Sequence, residues 1–430
     1  MDKKPASINV IFLFMILSAV VVAAFNGKMD QLTKASFDSA KAAVTLAIGL
    51  IGPMALWLGL MKVAEDGGLL RIIAKIIRPL MIKLFPDVPP EHPAMSAMIM
   101  NMSANALGLG NAATPMGIKA MKELQKLSKQ KEVATNAMCL FLAINTSNVT
   151  LLPLGVITVR AAAGAKEPAS ILLPTLIATT ISTLVAIISA KLLEKRSPQP
   201  VLIITDKSEQ NEKIAQKEDT YTTPLRKKLF ISFVLIIFLG AIIFKIKDVT
   251  WGNLSFLTLV SSISSWIIPI LICGFLIFGY LRGVNVYESL TEGAKEGFET
   301  AIRIIPYLVA IFVAIGMLRA SGALELFVSA ISPFVQTIGM PPEAMIMALM
   351  RPLSGSGAFG IMSEIVSKQP DSYLSFLVSI MQGSTETTFY VLAVYFGSVG
   401  IKDTRHALAS ALIADVAGIL AALGTSKIFF

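Results

Sequence analysis

Leu58-Gly-Leu-Met-Lys62 returns as Ile315-Gly-Met-Leu-Arg319, and the landmarks that follow return with it in the same order. Gly68 is matched by Gly322, Arg78-Pro-Leu80 by Ser332-Pro-Phe334, and Pro89-Pro-Glu91 by Pro341-Pro-Glu343. From Ala94-Met95 and Ala344-Met345 the two runs stay in step as far as Gly110 and Gly360, at an offset that stays near 250 residues. One such match is noise. A shared order of matches marks an internal repeat.

The chain around this duplication is apolar. Of its 430 residues, 54% are hydrophobic and 15% charged, against about 45–50% and about 25% in soluble domains. The apolar residues come in long runs, Ile8–Phe25, Val44–Met61, Ile171–Ala190, Leu229–Phe244, Leu257–Tyr280 and Ala407–Ala422. Each is close to the roughly 20 residues that cross a bilayer core. The fold class is therefore an all-α polytopic membrane protein, and the lipid bilayer is its first partner. The net charge of +9 does not signal nucleic acid, because the Lys and Arg sit between the apolar runs, where they set orientation. Cys139 and Cys273 lie inside apolar runs and form no disulfide framework. Ala23-Ala24 after the first run would suit a cleaved signal peptide, but the run is longer than a usual signal core and reads better as a retained anchor.

From Glu194 to Lys228 the chain turns polar, rich in Lys, Glu, Gln and Pro, the composition of a disordered linker. Residues 1–193 and 229–430 are then two membrane halves joined by linker 194–228. Their charges differ in an informative way. The first copy carries Lys62, Arg71, Lys75, Arg78 and Lys83 after its first shared span; the second has Arg319 and then nothing basic until Arg351. Lys119, Lys122, Lys126, Lys129 and Lys131 likewise answer to Lys368 alone. Cytoplasmic loops hold the excess of Lys and Arg, so corresponding loops belong on opposite sides. One span precedes the first copy and two precede the second, which also inverts them. The N-terminus and linker are expected in the cytoplasm of a bacterial inner-membrane protein. Inverted repeats are characteristic of secondary transporters, with the solute site where the repeats meet; a duplicated structural protein is the plainer alternative.

Each copy has two segments with apolar ends and a polar middle. These are Met100–Pro115 and Ala143–Pro153 in the first, Arg351–Gly360 and Met381–Tyr390 in the second. Gly, Pro, Ser and Asn at this density break or cap helices. Broken backbone at membrane depth survives only when buried in protein or lining a wet cavity; small-residue helix packing is the alternative. The expected solute-binding residues are Asn101, Asn105, Asn111, Asn145 and Asn148 from the first copy, and Ser354, Ser356, Gln382, Ser384 and Glu386 from the second. Asn side chains pair donors with acceptors and suit a base or sugar edge, or equally serve as helix–helix glue. Glu386 is the one carboxylate inside the long run Tyr373–Val399. A carboxylate there faces a pathway, a cation or a proton relay, unless it pairs with a nearby base or sits at a tip that reaches water. Asp415 reads as functional or as an end-of-helix group. His92 and His406 are isolated, so no metal site is expected. No phosphate-binding loop, Ser-His-Asp set or zinc spacing occurs. Neither an enzyme nor a cofactor is expected, and transport would run on an ion gradient, a partner or passive flow.

At these segments the chain resembles a known family. Asn101–Met121 is similar to the signature of spore maturation protein A, and Arg351–Gly360 with Met381–Lys402 to that of spore maturation protein B. The resemblance covers both halves and looks like a fusion of the two. It implies the gate, or nucleoside-recognition, domain, which concentrative nucleoside transporters and the permease part of ferrous iron transporter B also carry. The implied activity is permeation of a small polar solute, nucleoside-like first; the chain lacks the GTP-hydrolysing domain of the iron transporter. A homodimer is the expected assembly, since gate-domain proteins often associate. A cation permease using Glu386 and a non-transporting envelope assembly protein, recruiting partners through the linker, are the competing expectations. The architecture expected is about ten spans with a re-entrant element in each copy, near Pro93–Gly110 and Pro341–Gly360, and an interfacial amphipathic helix over Leu69–Phe85. Inversion has a direct test: Lys126→Cys and Lys368→Cys will label from opposite faces of intact cells with an impermeant thiol reagent, and labelling from one face rules inversion out.

Overall fold

The computed structural model describes residues 7–108, 110–196 and 256–430. The expected span Leu229–Phe244 and nearly all of the linker Glu194–Lys228 lie outside the described residues. Every regular element among the described residues is helical, apart from a single bridge between Val133 and Asp403. Helix α1 (Ser7–Phe25) precedes the first repeat. That repeat is α2 (Met29–Asp66), α3 (Leu69–Leu84), α4 (Pro93–Ala106), α5 (Gly110–Lys126), α6 (Asn136–Thr146), α7 (Leu154–Ala162) and α8 (Leu172–Glu194). Helix α9 (Phe256–Leu281) precedes the second: α10 (Val286–Ser321), α11 (Ala323–Gln336), α12 (Pro342–Leu353), α13 (Gly355–Lys368), α14 (Tyr373–Ser384), α15 (Thr388–Gly397) and α16 (Ala407–Phe429). Seven helices answer to seven, in the same order.

Local chemistry repeats with them. The longest helices, α2 and α10, carry an internal proline each, Pro53 and Pro306. Gly68 and Gly322 end them in left-handed backbone, φ +83° and +91°, where a side chain would be strained. After this joint come α3 and α11. Only Leu70 and Met81 of α3 are buried, and Ile76 and Leu80 face outward beside its basic residues, as an interfacial helix requires.

The copies run in opposite directions. Gly297 of α10 lies against Ala55 of α2, Gly59 of α2 against Leu290, and Gly316 against Ser39, so rising numbers in one helix meet falling numbers in the other. Asn26, just before α2, donates to the Ser321 carbonyl at the end of α10, 3.0 Å away. α8 and α16 are antiparallel in the same way: Ser182 Oγ donates to Ala414 O at 2.8 Å and Ser189 Oγ to Ser410 O at 3.4 Å. α2 and α10 form the scaffold, and the missing Cβ atoms let their backbones approach closely. At 38 residues, α2 is roughly 57 Å long, well beyond a core of about 30 Å.

Four described helices are long and apolar enough to cross a membrane alone (α2, α8 with the short turn before it, α10 and α16); the expected count of about ten also draws on 229–244, outside the described residues. The segments expected to be broken are half-length pieces, α4 with α5, α6 with α7, and their counterparts. The hairpin of the second copy turns at Ser354, inside the expected stretch Pro341–Gly360, where Ser354 Oγ accepts from Gly357 N and caps α13. Gly360 instead lies inside α13, where a Cβ would approach Ile311 of α10 to 2.8 Å. Large side chains such as Phe14, Ile48, Leu184, Ile188 and Leu420 face outward, the surface an integral membrane protein turns to lipid. The scaffold contact makes a prediction. Gly297→Val places a Cβ 2.5 Å from Ala55 Cα, and should lower stability by about 1–3 kcal/mol, read from thermal unfolding in detergent.

Candidate functional site

The second broken segment of each copy is two half-helices in line. α6 and α14 hold 11 and 12 residues, roughly 17–18 Å, about half the apolar core. Each starts at a hydroxyl cap: Thr135 accepts from Met138 N, and Ser372 from Ser375 N. The four pieces interlock across the copies. At one end, Ala134 N bonds Asp403 O at 3.0 Å and Lys402 N bonds Glu132 O at 2.9 Å, tying the start of α6 to the end of α15. At the other, Lys166 N bonds Asp371 Oδ1 at 3.0 Å, tying the end of α7 to the start of α14. α6 and α14 thus arrive from opposite sides, and their breaks join: Glu386 N donates to Thr146 O at 2.7 Å.

Copy one supplies amides to this junction, and they are closed on one another. Asn101 Nδ2 donates to Ala113 O at 2.8 Å and to Tyr395 Oη at 3.0 Å. Asn105 Nδ2 donates to Asn145 Oδ1 at 2.8 Å, which also accepts from Tyr395 Oη at 3.2 Å. Asn145 Nδ2 donates to Phe141 O at 2.8 Å. Tyr395, from α15 of the other copy, fits because position 117 is glycine; a Cβ there would sit 2.2 Å from its hydroxyl. This is a lock between the copies, with every amide nitrogen of the three Asn engaged.

Copy two supplies charge. Arg351, at the end of α12, is 3% exposed. Its Nη2 bonds the Thr385 carbonyl, its Nη1 reaches Thr387 Oγ1 at 3.3 Å, and Glu386 Oε2 lies 3.7 Å away. A guanidinium thereby covers the C-terminal, partially negative end of α14. The Glu386 side chain is 52% exposed. Asp415 of α16 is buried and accepts from Thr388 Oγ1 at 2.7 Å. Four buried polar atoms around this break have no hydrogen-bond partner among the described residues: Arg351 Nε, Gln382 Oε1, Thr385 Oγ1 and Asp415 Oδ1. Each costs about 1–3 kcal/mol left so. Unpaired polar atoms gathered at one point mark a place suited to a polar guest.

The family description called Gate, nucleoside recognition, matches residues 47–191 and 301–402, which is more than half of the chain and holds both breaks. The chain belongs to the Gate family. It is 46% identical over 181 residues to spore maturation protein A of Bacillus subtilis (strain 168), a match spanning 42% of this chain and 92% of that protein. It is also 46% identical over 166 residues to spore maturation protein B of the same organism, spanning 38% of this chain and 93% of that one. The two relatives cover different parts of the chain, as a fusion would.

In this Gate protein the structure brings Asn101, Asn105 and Asn145 into one cluster and sets Glu386 and Gln382 at the facing break. The pairing of Glu386 with an arginine, one of the two alternatives for it, is the arrangement seen, and its carboxylate also reaches the surface. Asn148 is buried but turned to its own loop, its Oδ1 accepting from Thr150 Oγ1 at 3.3 Å. Ser384 Oγ bonds back to Met381 O within α14. Ser354 and Ser356 sit at the hairpin tip, their hydroxyls 3.5 Å apart. The side chain of Asn111 lies outside the described residues. His92 Nδ1 accepts from Ala94 N and caps α4. Sequence reasoning missed Tyr395 and Arg351. A buried tyrosine hydroxyl needs a partner, and an arginine opening a broken segment needs one too; those were the available signals. Tyr395→Phe removes the group joining Asn101 to Asn145. It should cost about 1–2 kcal/mol in thermal unfolding, with no change in expression or membrane insertion.

Proposed function

We propose that this protein is a permease for a small polar solute, nucleoside-like compounds being the first class to test, and not an enzyme. Its site is the junction where the breaks of α6 and α14 meet, and it works in the bacterial inner membrane with the N-terminus and linker in the cytoplasm. The observation that carries the reading is the Glu386 N to Thr146 O bond: two helices broken at mid-length, from oppositely directed copies, share their freed backbone at one point. Transporters with inverted repeats hold solute at such a point. The unpaired atoms of Gln382, Thr385, Arg351 and Asp415 provide acceptors and a donor there, which suits the edge of a base or sugar. The family's description as nucleoside recognition supports the same solute class.

Within this reading each copy has a task. The closed Asn–Tyr cluster keeps the copies in register, and the charged break holds the solute. Glu386 is the exposed carboxylate of that break, so within the break it is the group open to an arriving solute or coupling cation. The test is uptake of radiolabelled nucleosides and bases into proteoliposomes holding the full chain. Wild type should show saturable flux, and Glu386→Gln should reduce it at least about tenfold, the scale of losing one charge-assisted bond. Flux of sodium or protons with no organic solute would favour a cation permease. No flux of any of these in wild type would remove transport.

A further inference from the structure

Arg160 lies on α7, on an otherwise apolar helix, and is 3% exposed. Among the described residues its one side-chain hydrogen bond is long, Nη1 to Ser379 Oγ at 3.5 Å, and its buried Nε has no partner; its guanidinium rests over the Phe376 ring, 5.7 Å from the centroid. Among the described residues no carboxylate stands within ion-pairing distance of it. Asp371 acts on it only from farther away, and Asp371 Oδ1 is taken by the Lys166 amide. Arg351, just as buried, has Glu386 at 3.7 Å and a carbonyl to cover. Arg160 has neither. A guanidinium does not shed its proton in proteins, so this is a charge held in an apolar setting with no counter-ion, an arrangement that is costly and that marks function in membrane segments.

A cleft of about 860 Å³ lies beside the end of the same helix, lined there by Ala162 and Ala163 and set between α2, α7, α10 and α13. Arg160 itself is not among the residues that line it; its guanidinium is turned to Ser379 and Phe376 of α14. Across the cleft Glu364, 3% exposed, is held between Arg319 at 3.2 Å and Lys368. Both of its ion pairs are made by Oε1.

We infer that Arg160 is a binding group for an anionic moiety, a carboxylate or phosphate. The planar fork of an arginine matches both groups. The inference deepens the permease reading and rests on it for the source of the anion: the solute carries a negative charge, engaged on α7 before it meets the break. A phospholipid headgroup has the same chemistry, and the experiment separates the two.

The full chain in neutral detergent is unfolded thermally while inorganic phosphate or citrate is titrated against chloride at matched ionic strength. The wild type should be stabilised saturably. The half-saturating concentration should rise about tenfold or more in Arg160→Gln and less in Arg160→Lys, and stay unchanged in the exposed-site control Arg78→Gln. Equal half-saturation in Arg160→Gln, no saturable response in wild type, or a response to phosphatidylglycerol alone would each overturn the inference. Should Arg160→Gln fail to fold, the wild type still decides: phosphate should protect Arg160, and not Arg78, from phenylglyoxal, as mapped by mass spectrometry. An Arg160 that phenylglyoxal never reaches, or that phosphate leaves unprotected, overturns it too. The two readings fail separately. Anion binding lost in Arg160→Gln, with no flux of any solute, leaves this site standing and removes transport; saturable flux of uncharged nucleosides unchanged by Arg160→Gln does the reverse.

Discussion

A backbone amide and a backbone carbonyl released by a broken helix have no water to turn to inside an apolar slab. In this chain they turn to each other: Glu386 N, freed where α14 ends, meets Thr146 O, freed where α6 ends. The rest of the fold is what that bond requires. The halves must point in opposite directions for two half-helices to arrive nose to nose, which α2 against α10 and α8 against α16 provide. Each half-helix must also be capped at its outer end, which Thr135 and Ser372 do. The remaining carbonyls need donors, and these come from other elements: Thr183 of α8 for Ser147, and Arg351 of α12 for Thr385.

The copies satisfy this shared requirement with different chemistry. Asn101 and Arg351 occupy matching places, the amide in one copy and the guanidinium in the other, each at the end of the first arm of a hairpin. The amide can both give and accept, so copy one closes into a neutral network with Asn105, Asn145 and Tyr395. The guanidinium only gives, so copy two draws in acceptors, Glu386 and the Thr385 carbonyl, with Asp415 on the next helix. Duplication supplied the frame, and divergence at one pair of positions separated a rigid junction from a charged one.

This division explains what was legible in the sequence. The repeat and its inversion could be read because they rest on local features, Gly and Pro at matching positions and Lys or Arg confined to one side. Breaks in the helices could be read for the same reason. The partners across them could not. Asn101 is 294 residues from Tyr395 and Arg351 is 36 from Thr387, and no local pattern joins such pairs. The turn itself could not be assigned within Pro341–Gly360, because glycine at 360 serves packing against Ile311, whereas a serine hydroxyl performs the capping six residues earlier. Glycine in a membrane helix carries both meanings, and only the neighbour decides between them.

A site that takes up and releases a guest needs groups whose bonds are exchangeable. The Asn cluster is poor at this, since each amide nitrogen is already spent on another protein group and freeing one would leave a buried partner unpaired. The copy-two break is better suited: its orphaned atoms gain from a guest, and the half-exposed Glu386 carboxylate is itself open to one. Arg160 has little to give up, a long bond to Ser379 Oγ. A guest anion would therefore meet two arginines in different states, one lightly held and one ion-paired, and only the second would require an ion pair to yield. That ordering makes the engaged arginine, at the junction of the copies, the place where binding can do work on the fold.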